Sequence, residues 1–227
     1  MEALRVRPAG DAALVLEWPA RLDVEINAQA VAARGRIVDV CGERIRDAVV
    51  GYHTLTVYFD PLSVDAASLE RELLEAAREG GRGAAVTGAT IDIPVCYGGA
   101  HGPDLADVAA AVGGTERDVI DLHLSREYRV FVVGFVPGFA YMGPVAAPLA
   151  LPRRATPRTR VPPGSVAIAA GQTGIYPMET PGGWHLIGRT PVRPFDESRP
   201  EPVLFRPGDR VRFHTMTAAE YDRHATW

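Results

Sequence analysis

Four arginines stand among prolines in the segment PRRATPRTRVPPG, at positions 152–164, and they are the residues best suited to chemistry. They are Arg153, Arg154, Arg158 and Arg160. A guanidinium group binds a carboxylate or a phosphate through paired N–H donors and stays charged at every working pH. Flanking prolines reduce the conformational entropy that such a loop loses on ordering. The segment therefore predicts an anion site or a charged interface; the alternative is a set of surface ion pairs, each worth about 0–1 kcal/mol.

Two further segments carry aromatic and polar groups between glycines. GFVPGFAYMG holds Phe135, Phe139 and Tyr141, and glycines let a backbone approach a ligand closely while aromatic rings form an apolar wall. A β-bulge with core aromatics is the alternative. GQTGIYPMETPGGWHLIGRTP holds a polar set in a loop shaped by glycine and proline, and such loops often carry sites. That set is Gln172, Thr173, Tyr176, Glu179 and His185. We interpret His185 as a structural histidine and Glu179 as a candidate base.

The composition excludes several mechanisms. All 24 basic Lys+Arg residues are arginines, so the chain has no lysine for a Walker P-loop, a Schiff base or a covalently attached biotin. A net charge of −4 gives no drive toward nucleic acid or an anionic membrane. Without an apolar run of about 20 residues or a signal peptide, we expect a cytoplasmic protein. Cys41 and Cys96 have no motif spacing and are expected to be buried thiols.

The pattern of elements predicts an α+β chain of two domains. Residues 1–88 alternate strand and helix signals and predict a small α/β domain with a mostly antiparallel sheet. A glycine- and alanine-rich stretch, residues 80–90, is the predicted linker. In residues 89–227, two short helices precede many strands punctuated by Pro and Gly, which favours a compact β-barrel. The two helices could form a DNA-binding helix-turn-helix, but the second is mainly acidic, which favours a simple hairpin.

Three long motifs in order resemble one family. GFVPGFAYM, PRRATPRTRVPPGSVAIAAGQTGIYP and TPGGWHLIGRTP are similar to the family of allophanate hydrolase subunit 1, or carboxyltransferase domain, subdomains C and D. The similarity covers nearly the whole chain and is strongest at positions 91–196. Met142 and Thr180 stand where relatives usually carry Leu and Ser. The region ARGRIVDVCGERIRD matches poorly, which bears on the choice of partner.

The resemblance implies a small N-terminal α/β domain followed by a cyclophilin-like β-barrel domain. It implies membership of an ATP-dependent 5-oxoprolinase complex that opens a lactam to give glutamate. The implied partners are a homologous C subunit and a third hydrolase subunit. ATP would bind at a site shared with a partner, and any biotin would be attached to another protein. The chain alone is expected to be inactive, and no metal is implied.

By resemblance, the ligand groove falls on ten residues, none of which is assigned a catalytic step. They are Phe139, Tyr141, Arg154, Arg158, Arg160, Gln172, Thr173, Tyr176, Gly183 and Trp184. Two other functions stay open. A Kip-type protein that inhibits a sensor histidine kinase would show an exposed apolar patch on the barrel. A component of a urea- or allophanate-type amidohydrolase or carboxyltransferase would use the same groove on another amide.

Overall fold

The computed structural model describes residues 4–80 and 88–224. The chain divides into two compact units, with the boundary at Gly88. The predicted linker falls mainly on residues 81–87, which lie outside the described residues. That the two units are separate domains, divided at residue 88, stays a prediction.

The first unit is a four-stranded antiparallel sheet with two helices packed on one face. Its strands are β1 (Arg5–Pro8), β2 (Ala13–Glu17), β3 (Ile45–Val50) and β4 (Thr54–Phe59), in the order β1-β2-β4-β3. The helices are α1 (Val24–Cys41) and α2 (Ala66–Gly80). Asp23 caps α1, because its Oδ1 accepts hydrogen bonds from the backbone N–H groups of Glu25 and Ile26. The α/β character predicted for this region is confirmed.

The buried face of α1 differs from the one that its sequence predicts. The spacing of apolar residues predicts one face with Val24, Ala28, Val31 and Ala32. The sheet instead covers Ile26, Ala30, Ala33 and Ile37, whereas Val24 is exposed. Both sets have helical spacing, since apolar residues run around most of α1. Only packing against the sheet, which is a long-range contact, selects between them.

The second unit is a closed seven-stranded barrel with a two-stranded ribbon beside it. The ring order is β10-β7-β6-β13-β5-β12-β9, and β8 pairs with β11 in the ribbon. The strands are β5 (Thr90–Tyr97), β6 (Tyr128–Val133), β7 (Ala140–Gly143), β8 (Arg158–Val161), β9 (Ser165–Ala169), β10 (Gln172–Ile175), β11 (Thr180–Gly182), β12 (His185–Arg189) and β13 (Arg210–Thr215). β5 and β13 run parallel, and the other pairs are antiparallel. The predicted barrel is confirmed.

Three helices accompany the barrel. α3 (Leu105–Val112) and α4 (Glu116–Leu124) form the predicted hairpin. A capping box joins Thr115 and Asp118 at the start of α4, as the spacing of Thr and Asp in TERD predicts. α5 (Ala218–His224) follows β13. Leu105 and Val119 join the barrel core, so the α3–α4 pair is part of the barrel's packing.

One turn that the sequence predicts is wrong. Pro then Gly at the centre of TPGG, residues 180–183, predicts a type II turn, yet Thr180–Gly182 is strand β11. Thr180 pairs with Val161 and Gly182 with Arg158, and the register shifts between them. This irregular edge pairing tolerates Pro181, which has no N–H to donate.

Two negative findings apply to the described part of the chain. Among these residues, no helix is long and apolar enough to cross a membrane, and no cluster of three or more His, Cys, Asp or Glu is placed to hold a metal ion. Cys41 and Cys96 are buried free thiols.

Candidate functional site

Two contacts fix the arginine segment, residues 152–160, against the chain that joins β11 to β12. The backbone N–H of Arg154 donates to the carbonyl of Gly183 at 2.8 Å. The Nε2 of His185 donates to the carbonyl of Pro152 at 2.9 Å. His185 is therefore structural in this arrangement, as its position on a strand indicated. The two contacts therefore hold the backbone on either side of Arg153.

A buried carboxylate binds two of the four arginines. Arg154 Nη1 donates to Asp104 Oδ1 at 2.7 Å. Arg158 donates through Nη1 to Oδ2 at 2.9 Å and through Nη2 to Oδ1 at 2.7 Å, which is the paired geometry of a guanidinium fork. The backbone N–H of Leu186 also donates to Oδ2 at 2.7 Å. Asp104 is only 2 % exposed, so this is an internal ion cluster rather than a surface pair.

Asp104 is ionised at neutral pH in this environment. Burial alone would raise its pKa, but the hydrogen bonds from Arg158 and from the Leu186 N–H, with the charges of Arg158 and Arg154, lower the pKa below its ordinary value of 3.8. The two arginines and the aspartate together keep one net positive charge. The cluster stabilises the segment and leaves a weak positive field around it.

Sequence reasoning missed Asp104. It stands at the N-cap position of α3, where an aspartate normally accepts hydrogen bonds from the first helical N–H groups. Here its side chain makes no such bond and turns to Arg154 and Arg158 instead. The only sequence signal was an acidic residue before a helix. That signal predicts a cap and carries no information about residues 50 positions away.

The other two arginines differ from each other. Arg160 forms a two-bond pair with Glu179, through Nε at 2.9 Å and Nη2 at 3.0 Å, and both side chains are exposed. Glu179, the candidate base, is thus the partner of a surface arginine. Arg153 is exposed, and within the described residues its guanidinium has no hydrogen bond and no ion pair.

An aromatic cluster lies beside the arginine segment, with the ring of Phe139 at its centre. Its centroid lies 4.8 Å from that of Tyr141, 5.2 Å from Tyr176, 5.6 Å from Trp184 and 5.8 Å from Phe135. These edge-to-face arrangements are those that aromatic rings prefer. The aromatic residues of these motifs lie in one cluster: Phe139, Tyr176 and Trp184 are buried, and Tyr141 is half-buried. Their role as an apolar wall for a ligand stays a prediction.

Small residues of the barrel make room for these rings. Side chains alternate along β9, so Val166 and Ile168 join the main barrel core, whereas Ala167 and Ala169 face the aromatic cluster. Gly174 on β10 lies against the same rings, since a methyl group there would come within 3.0 Å of the tip of Phe139. The cluster is seated on the outer face of the barrel wall.

Phe135 forms the exposed rim of the cluster. Its ring is 64 % exposed, and its backbone has a φ of +76°, which a bulky residue rarely adopts. Such a conformation costs on the order of 1–3 kcal/mol and persists only when its surroundings hold it. The loop therefore gives up stability to hold an aromatic ring in solvent beside Phe139.

The two tyrosines of the cluster feel the charge of Arg153. Burial raises the pKa of Tyr141, and the positive charge of Arg153 opposes that rise. Burial raises the pKa of Tyr176 to about 12, and the nearby Trp184 backbone N–H and the charge of Arg153 oppose this rise. Both hydroxyls are neutral at physiological pH and lie within the electrostatic range of Arg153.

Thr173 and Gln172 lie on the buried side of the site. Thr173 is fully enclosed, donates to the carbonyl of Ala167 at 3.0 Å and accepts from His123 Nε2 at 3.0 Å. Gln172 is 9 % exposed at the start of β10. The structure thus gathers the predicted aromatics, Gly183 and the arginine segment on one face and places Thr173 in the interior. Ligand contact by any of the ten predicted residues stays a prediction.

The sequence places this fold and site in a known family. Residues 4–205 match the family described as carboxyltransferase domain, subdomain C and D, and the chain belongs to that family. The resemblance drawn from the three motifs is confirmed.

Three similar proteins are named as the B subunit of 5-oxoprolinase. The chain is 43 % identical to the one from Escherichia coli O157:H7, over 94 % of this chain and 96 % of that protein. It is 35 % identical to the one from Bacillus subtilis, over 97 % and 95 %. A more limited match, 32 % identity over 53 % of this chain and 7 % of the other, is to a urea amidolyase from Lachancea kluyveri.

Solved structures share the fold. The crystal structure of TTHA0988 matches with a TM-score of 0.81 and 36 % identity, over 94 % of this chain and 41 % of that one. The chain therefore spans less than half of TTHA0988. The protein PH0987 from Pyrococcus horikoshii matches over its full length, at 38 % identity and a TM-score of 0.58. The α+β architecture with a barrel is common to them.

Proposed function

We propose that the chain is the B subunit of an ATP-dependent 5-oxoprolinase and acts with a homologous C subunit and a third subunit. One observation carries the proposal: the match to the two named relatives extends over more than nine-tenths of both proteins in each pair, at 43 % and 35 % identity. A match of this extent includes the arginine segment and the aromatic cluster. The chain alone is expected to be inactive.

The groups of the site suit the substrate. 5-Oxoproline combines a carboxylate with a five-membered lactam, so it needs a cation for one end and an apolar wall for the other. The arginine segment supplies the cation, and the accessible rings of Tyr141 and Phe135 supply the wall. In the reaction that we propose, ATP transfers its γ-phosphoryl group to the lactam oxygen and leaves as ADP. Water then adds to the activated carbon, and loss of inorganic phosphate with cleavage of the C–N bond gives glutamate.

ATP is assigned to a site shared with a partner. The sequence has no lysine and no P-loop motif, so the usual nucleotide-binding loop is missing from this chain. The arginines near the groove suit the negative charge that develops on a phosphoryl group during transfer. The chain's own contribution is to bind and orient the substrate.

The ten predicted residues divide by position in this proposal. Arg154 and Arg158, neutralised in part by Asp104, hold the segment and its field in place. Tyr141 and Gly183 are half-buried, so we place them on the border of the groove, with the buried rings of Phe139, Tyr176 and Trp184 beneath them. Arg160 pairs with Glu179 on the surface, and Gln172 and Thr173 are buried. Their contact with substrate rests on the family resemblance alone.

A kinase-docking role receives less support. It predicts an extended apolar patch on the barrel unit. Eight large hydrophobic side chains are exposed among the described residues, and Phe135 alone belongs to the barrel unit. One exposed ring does not form such a patch. A urea- or allophanate-type substrate keeps support from the partial match to a urea amidolyase.

Reconstitution tests the proposal. The chain would be co-purified with its candidate partners, and glutamate formed from 5-oxoproline and ATP would be measured with each component omitted in turn. We expect glutamate only when this chain is present. Equal glutamate formation without the chain would contradict the proposal, and ATP consumption driven by urea but not by 5-oxoproline would favour the alternative substrate.

A further inference from the structure

Arg153 is the arginine of the segment whose charge is not compensated by a carboxylate. Asp104 forms ion pairs with both Arg154 and Arg158, and Glu179 pairs with Arg160. In the described part of the chain, the Arg153 guanidinium has neither an ion pair nor a hydrogen bond. Its donors are therefore available to a ligand in the fork geometry that suits a carboxylate.

The backbone around Arg153 is fixed more firmly than that of an ordinary surface arginine. The residue before it accepts a hydrogen bond from the His185 ring, and the residue after it donates one to Gly183. These two anchors flank Trp184. Arg153 is thus held opposite Trp184, so part of the ordering cost of binding is already met in the free protein.

The charge of Arg153 lies within electrostatic range of the aromatic cluster. Its charge acts on the hydroxyls of Tyr141 and Tyr176, and the rings of Tyr141 and Trp184 lie with centroids 5.9 Å apart. Asp104 is occupied by two arginines and by the Leu186 N–H. A small ligand with an apolar ring and one carboxylate would therefore match this corner of the groove.

We propose that Arg153, rather than Arg154, Arg158 or Arg160, binds the carboxylate of the substrate and sets the preference for lactams that carry one. This inference rests on the proposed function and deepens it. Arg154 and Arg158 are positioning residues, since they act through Asp104. Arg153 contacts the substrate directly.

The test compares two substrates that differ by the carboxylate. In the assembled complex, Arg153→Ala is expected to raise KM for 5-oxoproline about 10- to 100-fold, the usual effect of losing a charged hydrogen-bonded pair. The same variant should leave the turnover of 2-pyrrolidinone, a lactam without the carboxylate, at the wild-type level. An equal loss for both lactams, or no loss for either, would overturn the proposal.

Two further variants separate charge from structure. Arg153→Lys keeps the charge but loses the fork, so it should recover part of the affinity for 5-oxoproline. Arg117→Ala removes an exposed arginine that pairs with Asp121 on α4 and should match the wild-type KM. If Arg153→Lys and Arg153→Ala were equally impaired for both lactams, the loss would be structural and the proposal would fail.

A binding measurement decides the matter if the wild-type complex does not turn over 5-oxoproline. The absence of turnover would contradict the proposed function but would leave open whether Arg153 binds the carboxylate. The full-length chain would then be titrated with 5-oxoproline and with 2-pyrrolidinone, and the arginine Nε–Hε signals would be followed by NMR. We expect 5-oxoproline, which carries the carboxylate, to shift the Arg153 signal in a saturable way, and 2-pyrrolidinone not to shift it. No saturable shift, or equal shifts with both probes, would overturn the inference about Arg153.

Discussion

Asp104 and Arg158 are joined by two hydrogen bonds, of 2.9 and 2.7 Å, across 54 positions of sequence. This pair connects the start of helix α3 to strand β8. Because Asp104 is buried and Arg158 is about one-quarter exposed, the pair is largely shielded from water. With the contacts that Pro152 and Arg154 make to His185 and Gly183, it holds the arginine segment in place.

Replacement of Asp104 should destabilise the protein. Asp104→Asn leaves two partly buried guanidinium groups without a carboxylate, and we expect a cost of about 2–3 kcal/mol in the free energy of unfolding. Denaturant unfolding of wild type, Asp104→Asn, Arg158→Ala and the double variant would measure it. The effects of the two single changes should be strongly non-additive. Additive effects would contradict a direct coupling.

The Asp104 contribution should also depend on pH. The folded protein lowers the pKa of Asp104, so the stabilisation is present above the ordinary pKa of 3.8 and is lost as pH falls through the lower folded value. Wild type should therefore lose its advantage over Asp104→Asn below pH 3.8. A constant difference between the two proteins down to about pH 2 would contradict the assignment.

A second pH effect originates at His123. The ring is fully buried, with Nδ1 2.7 Å from the Tyr97 hydroxyl and Nε2 3.0 Å from Thr173 Oγ1. Because Thr173 donates to Ala167, Nε2 carries the proton and Nδ1 accepts from Tyr97. Burial lowers the pKa of His123 to about 3. The core therefore holds a neutral imidazole.

This imidazole predicts a loss of stability in mild acid. The unfolded chain binds a proton near pH 6.5 and the folded protein does not, so stability is full above pH 6.5 and falls by about 1.4 kcal/mol per pH unit below it, toward pH 3. Unfolding at about pH 7.5 and pH 5 should show a drop of about 2 kcal/mol in wild type. His123→Gln should be less stable at neutral pH but should show a smaller drop. Parallel pH profiles would argue against a titrating His123.

The adjacent glycines Gly182 and Gly183 should respond differently to a methyl group. A Cβ at Gly182 would overlap the hydroxyl and ring of Tyr176, whereas at Gly183 the nearest atom is Pro157 Cγ at 3.6 Å. We expect Gly182→Ala to cost about 1–3 kcal/mol and Gly183→Ala less than about 0.5 kcal/mol. Thermal unfolding of both variants measures this. Equal melting temperatures would show that Tyr176 can move away.

Much of the fold could be predicted because its signals are local. The capping box at Thr115 and the turn at residues 206–209 depend on neighbouring residues, and both are present: Asp209 N–H donates to the Arg206 carbonyl at 3.0 Å, and Gly208 has a φ of +101°. The aromatic grouping followed from glycine-framed motifs. These features need little information from the rest of the chain.

The features that sequence reasoning missed depend on distant partners. The local signal of Pro181 followed by Gly182 indicated a turn. Strand β11 forms there instead because β8, a distant segment, pairs with it. The difference between Arg153 and its neighbours arises from Asp104, which is about 50 positions away. The sequence grouped the four arginines because their chemistry is the same. Their partners, not their type, decide which one is available to a ligand.

The isolated chain should not hydrolyse ATP. It lacks lysine and a P-loop motif, so we expect phosphoryl transfer to need groups from other subunits. ADP release by the purified chain should equal that of buffer, with or without 5-oxoproline. A robust rate that is insensitive to Arg158→Ala would show that the chain has a nucleotide site of its own.

The central claim is that the groove of this barrel serves the 5-oxoprolinase reaction. The most direct measurement is 5-oxoproline-dependent ADP release by the complex assembled with wild-type or Arg158→Ala chain, at a temperature where circular dichroism shows both to be folded. The account predicts ADP release that depends on 5-oxoproline and on this chain in wild type, and its loss in Arg158→Ala. Full activity of a folded Arg158→Ala complex would contradict it.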